Sequence, residues 1–301
     1  MKWIKSLSCE YLEAHSTVTI RNVHKAIINS VELCVMILSP LTVIKLGGSV
    51  ITKKRKSPPE IDKENVLRIA KELRHCREKL IVVLGGGAHG HQAAHAYGYG
   101  RTDTDLEELL SGIPLIRHNM SLLSLEIETQ LNHVGIPSVV IPPFPLVIMK
   151  DGEILSFPLD TLIRVLDANI AVIIHGDVCM DDVRGASILS GDTIVAHLAK
   201  ELNASRVLIG TDVDGIFSAN PSIDTDATLI PKINKSNIDE ILESAGPSSS
   251  TDVTGGMHRK LLELMSLARG DSQVRIFNLS VPGRLTRLLD DESTICTTIS
   301  E

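Results

Sequence analysis

Aromatic side chains are scarce: one Trp, three Tyr and four Phe make up 3% of the 301 residues. Stacking platforms for single-stranded nucleic acid and aromatic sugar clefts need more than that. Cysteine is sparse as well. Cys9, Cys34, Cys76, Cys179 and Cys296 are odd in number, scattered and without a C-x-x-C pair, which argues against a disulfide framework or a cysteine zinc site and for a reducing cytoplasm. No apolar run approaches the roughly 18 residues needed to span a bilayer; Leu80–Leu84 and Ile170–Ile174 are strand-sized. Positive charge is in deficit, with 30 Lys plus Arg against 37 Asp plus Glu and a net charge of -7. The chain therefore has no long-range attraction for nucleic acid or an anionic membrane. The P-loop pattern G-x-x-x-x-G-K-[ST] is also missing, so a phosphate site of that kind is excluded.

What remains is globular in character, 43% hydrophobic and 22% charged, and long enough to bury a large core. Residues 1–40 mix Lys2, Lys5, Arg21 and Lys25 with polar and apolar residues and show no apolar stretch closed by a cleavage site, unlike a secretory signal. They read as an N-terminal extension of unknown role, or as sequence upstream of a start at Met36. From Leu41 onward, short Val/Ile-rich runs alternate with amphipathic stretches, the pattern of strands buried on both faces of a largely parallel sheet. Strands are predicted at Thr42–Leu46, Leu80–Leu84, Ser138–Ile141, Ile170–Ile174, Arg206–Ile209 and Val274–Phe277. Helices are predicted near Asp62–Leu73, Leu115–His133, Leu159–Leu166, Thr193–Leu202, Ile238–Ser244 and Met257–Arg269. Leu146–Met149 and Ile154–Phe157 flank Asp151-Gly152, a tight-turn dipeptide, and predict an inserted β-hairpin. The expected fold is an α/β three-layer sandwich with helices on both faces of the sheet.

Five loops carry the chemistry. Lys45-Leu46-Gly47-Gly48-Ser49 ends the first strand, and paired glycines there let backbone N–H groups approach an anion. A tight turn with a solvated lysine explains the same residues. Gly85-Gly86-Gly87-Ala88-His89-Gly90-His91 follows the second strand, where three glycines in a row favour close approach of a ligand to the backbone. That loop also fits G-x-G-x-x-G, with Asp103 and Asp105 near the offset of a ribose-binding carboxylate. NAD binding is therefore a rival reading, one that requires a continuous helix after Gly90 and gives the other loops no role. Ser190-Gly191-Asp192-Thr193 reads as a helix start, able to hold a phosphate or simply to cap. Thr211-Asp212-Val213-Asp214-Gly215 places two carboxylates after another strand, for a nucleotide or for a turn. In Asp252–Lys260, Arg259 and Lys260 stand in a first helical turn where basic charge opposes the helix dipole, and a nearby anion would repair that. Lys45, Lys54 and Lys260 beside glycine loops describe a site that neutralises a transferring phosphoryl group.

Taken together and in this order, Val43–Ser49, Gly85–His91, His175-Gly176-Asp177, Leu189–Asp192, Thr211–Gly215, Asp252–Lys260 and Phe277-Asn278 resemble the amino acid kinase superfamily, most of all its isopentenyl phosphate kinases. The resemblance implies ATP-dependent phosphorylation of isopentenyl phosphate to isopentenyl diphosphate in an alternative mevalonate route, with Mg²⁺, in a cytoplasmic homodimer without membrane or nucleic-acid partners. It implies a domain over 41–301, acceptor binding at about 41–175 and nucleotide binding at about 176–301. Catalytic roles fall on Lys45, Lys54, His91, Asp192 and Lys260. Acceptor contacts fall on Gly86, Gly90, His91 and Gly191, and nucleotide contacts on Lys45, Gly47, Gly48, Ser49, Gly87, Asp212, Phe217, Gly256 and Lys260; no protein metal ligand is implied. Lys53, next to Lys54, is an alternative second lysine. Two residues depart from the pattern: Leu84 stands where a histidine is usual and His89 where a phenylalanine is usual, the latter bearing on the acceptor pocket. The isoprenoid tail is expected among Ala93, Ala94, Leu122, Leu123 and Ile127. Fosfomycin kinases share the loops, including the Gly256–Lys260 run, and a nucleotide sensor without turnover is a third class.

Overall fold

A computed structural model describes residues 40–301 except positions 54, 55, 57, 102, 103, 220, 222, 245–261, 263, 266 and 269–271. Strand β1 (Leu41–Leu46) lies inside an eight-stranded sheet, between β2 (Lys79–Leu84) and β9 (Arg206–Thr211), both parallel to it. β6 (Ala171–His175) and β3 (Ser138–Val140) extend the sheet beyond β2. On the other side lie β11 (Gln273–Asn278), β12 (Thr297–Ile299) and β10 (Lys232–Ile233), in that order. Among the described pairings of this sheet, only β11 with β12 is antiparallel.

Successive residues of each strand fall into two separate cores, because side chains alternate across a strand. Val43, Ile81, Val83, Val172, Ile174 and Val207 join the core on one face, where α5 (Asp160–Asp167) and α6 (Gly191–Glu201) contribute Leu162, Leu166, Ile194, Val195 and Leu198. Ile44, Leu46, Val82, Leu84, Ile173 and Leu208 join the core on the opposite face. There α2 (Lys63–Leu73), α4 (Leu106–His133) and α8 (Arg284–Leu289) supply Val66, Ile69, Met120, Leu123, Ile127 and Leu285. Each such side chain contributes about 1.5–3 kcal/mol when buried, so the runs that looked uniformly apolar in sequence serve two layers at once. The three-layer α/β architecture is the one expected.

Helix α4 begins at Leu106 rather than Leu115 and contains Pro114. A proline costs an interior helix one hydrogen bond and a ring clash, but here Asp105 caps the start by accepting from the Glu108 N–H at 2.8 Å, and the apolar face runs straight through. The Met257–Arg269 helix lies largely outside the described residues, with helical residues at Leu262, Leu264, Met265 and Leu267. α7 (Ile238–Ser244) is as expected. No helix among the described residues is long and apolar enough to cross a membrane.

The hairpin at Asp151-Gly152 is present, with both residues at positive φ (53° and 83°), but it is half of a larger element. β4 (Ile148–Lys150) and β5 (Glu153–Ser156) join β7 (Asp177–Asp181) and β8 (Gly185–Leu189) in a second, four-stranded sheet. Asp181 fastens its two turns together. Its carboxylate accepts from the N–H groups of Asp151 (3.0 Å), Gly152 (2.8 Å), Val183 (2.9 Å) and Arg184 (2.9 Å) and from the Ser187 hydroxyl (2.7 Å). Burial pushes its pKa up, but these donors outweigh burial and hold the carboxyl well below the usual range. Asp181→Asn places an NH₂ group against backbone donors, so we expect a loss of about 1–3 kcal/mol, or roughly 3–8 °C in Tm for a chain of this size, readable by thermal denaturation.

Candidate active site

The parallel strands end along one edge of the main sheet, and three backbone bonds carry their ladder into the loops beyond. Gly47 N–H donates to Gly210 O (2.9 Å), Gly85 N–H to Leu46 O (2.9 Å) and Gly176 N–H to Leu84 O (3.0 Å). Loops that lie far apart in sequence therefore start side by side, at the edge where open α/β sheets bind ligands. A cavity of about 610 Å³ opens there, lined by Lys45, Gly47, Gly48, Ser49, Thr52, Gly85–Gly87, Gly90, His91, Gly176, Asp177, Ser190–Asp192, Thr211, Val213 and Gly215, with apolar residues at its margins.

The glycines of the first two loops are required chiefly by each other. A Cβ on Gly48 would lie 2.2 Å from Gly87 N and 2.4 Å from its Cα; one on Gly85 would lie 2.8 Å from Gly48 N. Gly87 has φ +50°, and a Cβ there would meet Thr52 Oγ1 at 2.5 Å and Gly48 O at 2.7 Å. These are contacts that only glycine permits. Thr52, at the end of α1 (Gly48–Ile51), completes the junction: its hydroxyl donates to Gly48 O (2.7 Å) and accepts from Ala88 N–H (3.1 Å). Gly86 and Gly90 are looser, with nearest neighbours at 3.3 and 3.1 Å, and line the cavity.

Lys45 and Asp192 meet across the cavity floor, Nζ to Oδ1 at 2.5 Å, with both side chains largely buried. Asp192 sits in the first turn of α6, whose N-cap Ser190 accepts from Thr193 N–H at 3.1 Å. The Ser190 loop is thus an ordinary capped helix start and a cavity wall at once. A Cβ on Gly191 would lie 3.2 Å from Leu84 O, which explains glycine where α6 begins over the end of β2. Lys53 lies exposed and paired with Glu60, and is not on the cavity wall.

The second loop becomes helix α3 (Gly87–Ala96). Gly87, His91 and Ala94 fall at i, i+4 and i+7, on one face. All three line the cavity, so the helix leads from the glycine junction, with Met120 against Gly86 and Gly90, past an imidazole to an apolar wall completed by Ile116 and Ile188. The continuous helix that the dinucleotide reading requires is present. Of its two candidate carboxylates, Asp105 serves as the cap of α4, and Asp103 lies outside the described residues. Ala94 takes its expected place at the apolar wall. Leu123 and Ile127 instead pack under the main sheet, Leu122 is 48% exposed, and Ala93 is buried in a small cluster with Tyr99 and Val178. The helical period was read correctly, but which face turns to the cavity depends on the sheet beneath.

His175, Asp177 and Arg117 form a largely buried polar group at the cavity wall, which Asp177 lines. Arg117 Nη1 reaches Asp177 Oδ2 at 3.2 Å while its guanidinium covers the Phe144 ring at 4.5 Å. Burial pushes the His175 pKa down to about 4, against the Gly176 carbonyl that its Nδ1 faces at 3.0 Å. Burial likewise pushes Asp177 up to about 6, opposed by Arg117. The His175-Gly176-Asp177 segment stood out in sequence, yet no role for Asp177 could be read there. Thr52, Ile116, Met120 and Ile188 were missed entirely; only the i,i+4 spacing of Thr52 from Gly48 hinted at its bond.

Lys45, Gly47, Gly48, Ser49, Gly86, Gly87, Gly90, His91, Gly191 and Asp192 are thus brought together around one cavity. Thr211, Val213, Gly215 and Ile216 form a further wall, whereas Asp212 and Phe217 are not on it; Asp212 is exposed and Phe217 is bridged to Leu229. Lys54, Gly256 and Lys260 lie outside the described residues. The two departures sit away from the cavity wall: Leu84 is fully buried in the core, and His89 is 5% exposed, its basicity lowered by burial.

Gly48→Ala forces a methyl group into the backbone of Gly87 and should cost more than about 3 kcal/mol, whereas Gly90→Ala meets only the flexible Met120 thioether and should keep the fold; Tm values of the two variants separate these cases. The His175 and Asp177 shifts oppose each other in pH. His175 alone makes stability rise from pH 4 to 6.5, because the unfolded state binds the extra proton; Asp177 alone makes it fall from about pH 4 to 6, because the folded state does. Relative to wild type, Asp177→Asn should therefore gain stability as pH rises from 4 to 6, by at most about 1.4 kcal/mol per pH unit, in urea unfolding across that range.

Residues 40–278 match the amino acid kinase family. The chain is 34% identical over 255 residues to the isopentenyl phosphate kinase of Methanothermobacter thermautotrophicus, covering 83% of this chain and 95% of that protein. It is 36% identical over 237 residues to the isopentenyl phosphate kinase of Methanocaldococcus jannaschii, covering 73% and 85% respectively. A crystal structure of an isopentenyl phosphate kinase superposes with a TM-score of 0.75 at 31% identity, over 86% of this chain and all of that one. With its loops gathered at the carboxyl edge of the same fold, this chain belongs to the amino acid kinase family.

Proposed function

We propose that the chain transfers the γ-phosphoryl group of ATP to isopentenyl phosphate, giving isopentenyl diphosphate and ADP. The observation that carries the reading is the mixed lining of one cavity: Lys45, the glycine loops and the first turn of α6 share it with Ala94, Ile116 and Ile188, which pack in one apolar cluster. Along α3, Gly87 and Ala94 are about 10 Å apart at 1.5 Å per residue, room for a phosphate followed by a short branched hydrocarbon. Relatives named isopentenyl phosphate kinase support the same choice.

In this reading an acceptor phosphate oxygen attacks the γ-phosphorus and the bond to the β–γ bridging oxygen breaks, leaving ADP. The acceptor's second pKa is about 6, so it is largely ionised at neutral pH and needs no general base. Catalysis then rests on alignment and on cancelling charge. Asp192 holds the Lys45 ammonium at 2.5 Å, where it can stabilise the transferred group; His91 holds the acceptor phosphate. Gly86, Gly90 and Gly191 serve the acceptor, and Gly47, Gly48, Ser49, Gly87, Asp212 and Phe217, with the wall residues Thr211, Val213 and Gly215, serve the nucleotide. Lys54, Gly256 and Lys260 are assigned to the transferred group and the nucleotide on the motif alone. Mg²⁺ bound with the nucleotide would supply further charge neutralisation for the transfer. No group of three His, Cys, Asp or Glu side chains able to hold a metal ion occurs among the described residues.

The family match begins at residue 40, supporting 41–301 as the catalytic domain, its acceptor side in about 41–175 with the turn before α6 added from the nucleotide side. We further propose a cytoplasmic homodimer.

Incubation with ATP, Mg²⁺ and isopentenyl phosphate should yield isopentenyl diphosphate. Turnover of fosfomycin alone, NAD-dependent absorbance change, or nucleotide binding without turnover of any acceptor would each replace the reading. Lys45→Met should lower kcat by roughly 10²-fold or more. His91→Ala should lower kcat/KM for isopentenyl phosphate by roughly 10- to 200-fold, one charge-assisted hydrogen bond, with ATP affinity unchanged.

A further inference from the structure

Behind the Thr211–Ile216 wall lies a charged pair that the reaction as described leaves without a role. Val213 and Gly215 line the cavity; Asp214, between them, does not. Its Oδ1 accepts from Arg284 Nη1 at 2.6 Å and from Asn278 Nδ2 at 3.2 Å. Arg284 opens α8 and is 13% exposed, whereas Asp214 is 35% exposed. Asn278 closes β11, and its own Oδ1 accepts from Ser280 N–H at 3.0 Å, which fixes the amide so that its donor faces Asp214. Leu279 N–H donates to Thr211 O at 2.8 Å. The Arg284 and Asn278 donors hold the Asp214 carboxyl below its ordinary range, with burial acting against them.

We infer that Arg284 is a positioning residue for ATP, acting through Asp214. The inference rests on reading this wall as the nucleotide side. Two effects follow from one contact. Clamped from β11 and α8, the loop after β9 keeps one shape while its neighbours Val213 and Gly215 meet the nucleotide. The guanidinium also neutralises a carboxylate that would otherwise stand next to a wall receiving a polyphosphate, where like charge weakens binding. Phe277-Asn278, singled out in sequence without a function, acquires one as the second arm of the clamp.

The two effects give an ordering that a merely structural pair would not. In calorimetric titration with ATP alone, Arg284→Met should weaken binding by about tenfold, since it loses the clamp and exposes the charge, a loss of about 1.4 kcal/mol. Arg284→Lys, which keeps the charge but not the planar fork, should lose about threefold, and Asp214→Asn about the same. The double variant Arg284→Met/Asp214→Asn should bind ATP better than Arg284→Met, because the unpaired charge is gone. KM for isopentenyl phosphate should stay within twofold throughout. ATP affinity unchanged in Arg284→Met, or an equal rise in both substrates' constants, overturns the inference. If Arg284→Met is insoluble, Arg284→Lys and Asp214→Asn decide, and unaltered ATP affinity in both overturns it. A wild-type chain that binds no ATP sinks the functional reading itself, a result distinct from any of these.

Discussion

The active-site architecture depends on two backbones touching. Gly48 and Gly87 approach so closely that a Cβ on the first would stand 2.2 Å from a nitrogen of the second. The contact lies where β1 and β2, parallel and in register, release their chains. Without it α3 could not begin against α1, and Gly87, His91 and Ala94 would not share the cavity with Lys45. Glycine's lack of a side chain is used here to bring protein to protein.

Charge in the cavity follows a similar economy. Lys45 on β1 and Asp192 on α6 are far apart in sequence, yet they form a largely buried pair. A lone ammonium at this depth would carry a large desolvation cost, and its pairing with a carboxylate orients it without a solvated side chain to reorganise. Asp214 with Arg284 repeats the arrangement on the other wall, outside the cavity. The two pairs differ in placement: Lys45 and Asp192 both line the cavity, whereas Asp214 and Arg284 stand off its wall.

The second sheet supports part of the cavity wall. Asp181 holds the turns of two hairpins with five accepted hydrogen bonds, and the same sheet presents Ile188 to the apolar wall. His175 and Asp177, at the crossing from β6 to β7, are buried with opposite pKa shifts. Their contributions to the pH dependence of stability therefore oppose each other.

Local pattern in the sequence determined the layers, because strands buried on both faces read as short apolar runs and amphipathic helices as periodic ones. It also marked the loops, since runs of glycine at strand ends have few other causes. The sequence alone left open which glycines serve packing and which serve a ligand; that depends on distances between loops separated by dozens of residues. Asp105 could be a ribose ligand or a helix cap until the start of α4 was fixed, and Leu123 and Ile127 could line the cavity or the core until α4 was set against the sheet. Ile188 and Arg284 carry no signal, because their partners are brought to them only by the crossing of the chain. Periodicity and turn chemistry are local and survive in a string of letters, whereas the facing of a helix and the pairing of a charge are properties of contact and were decided by tertiary structure.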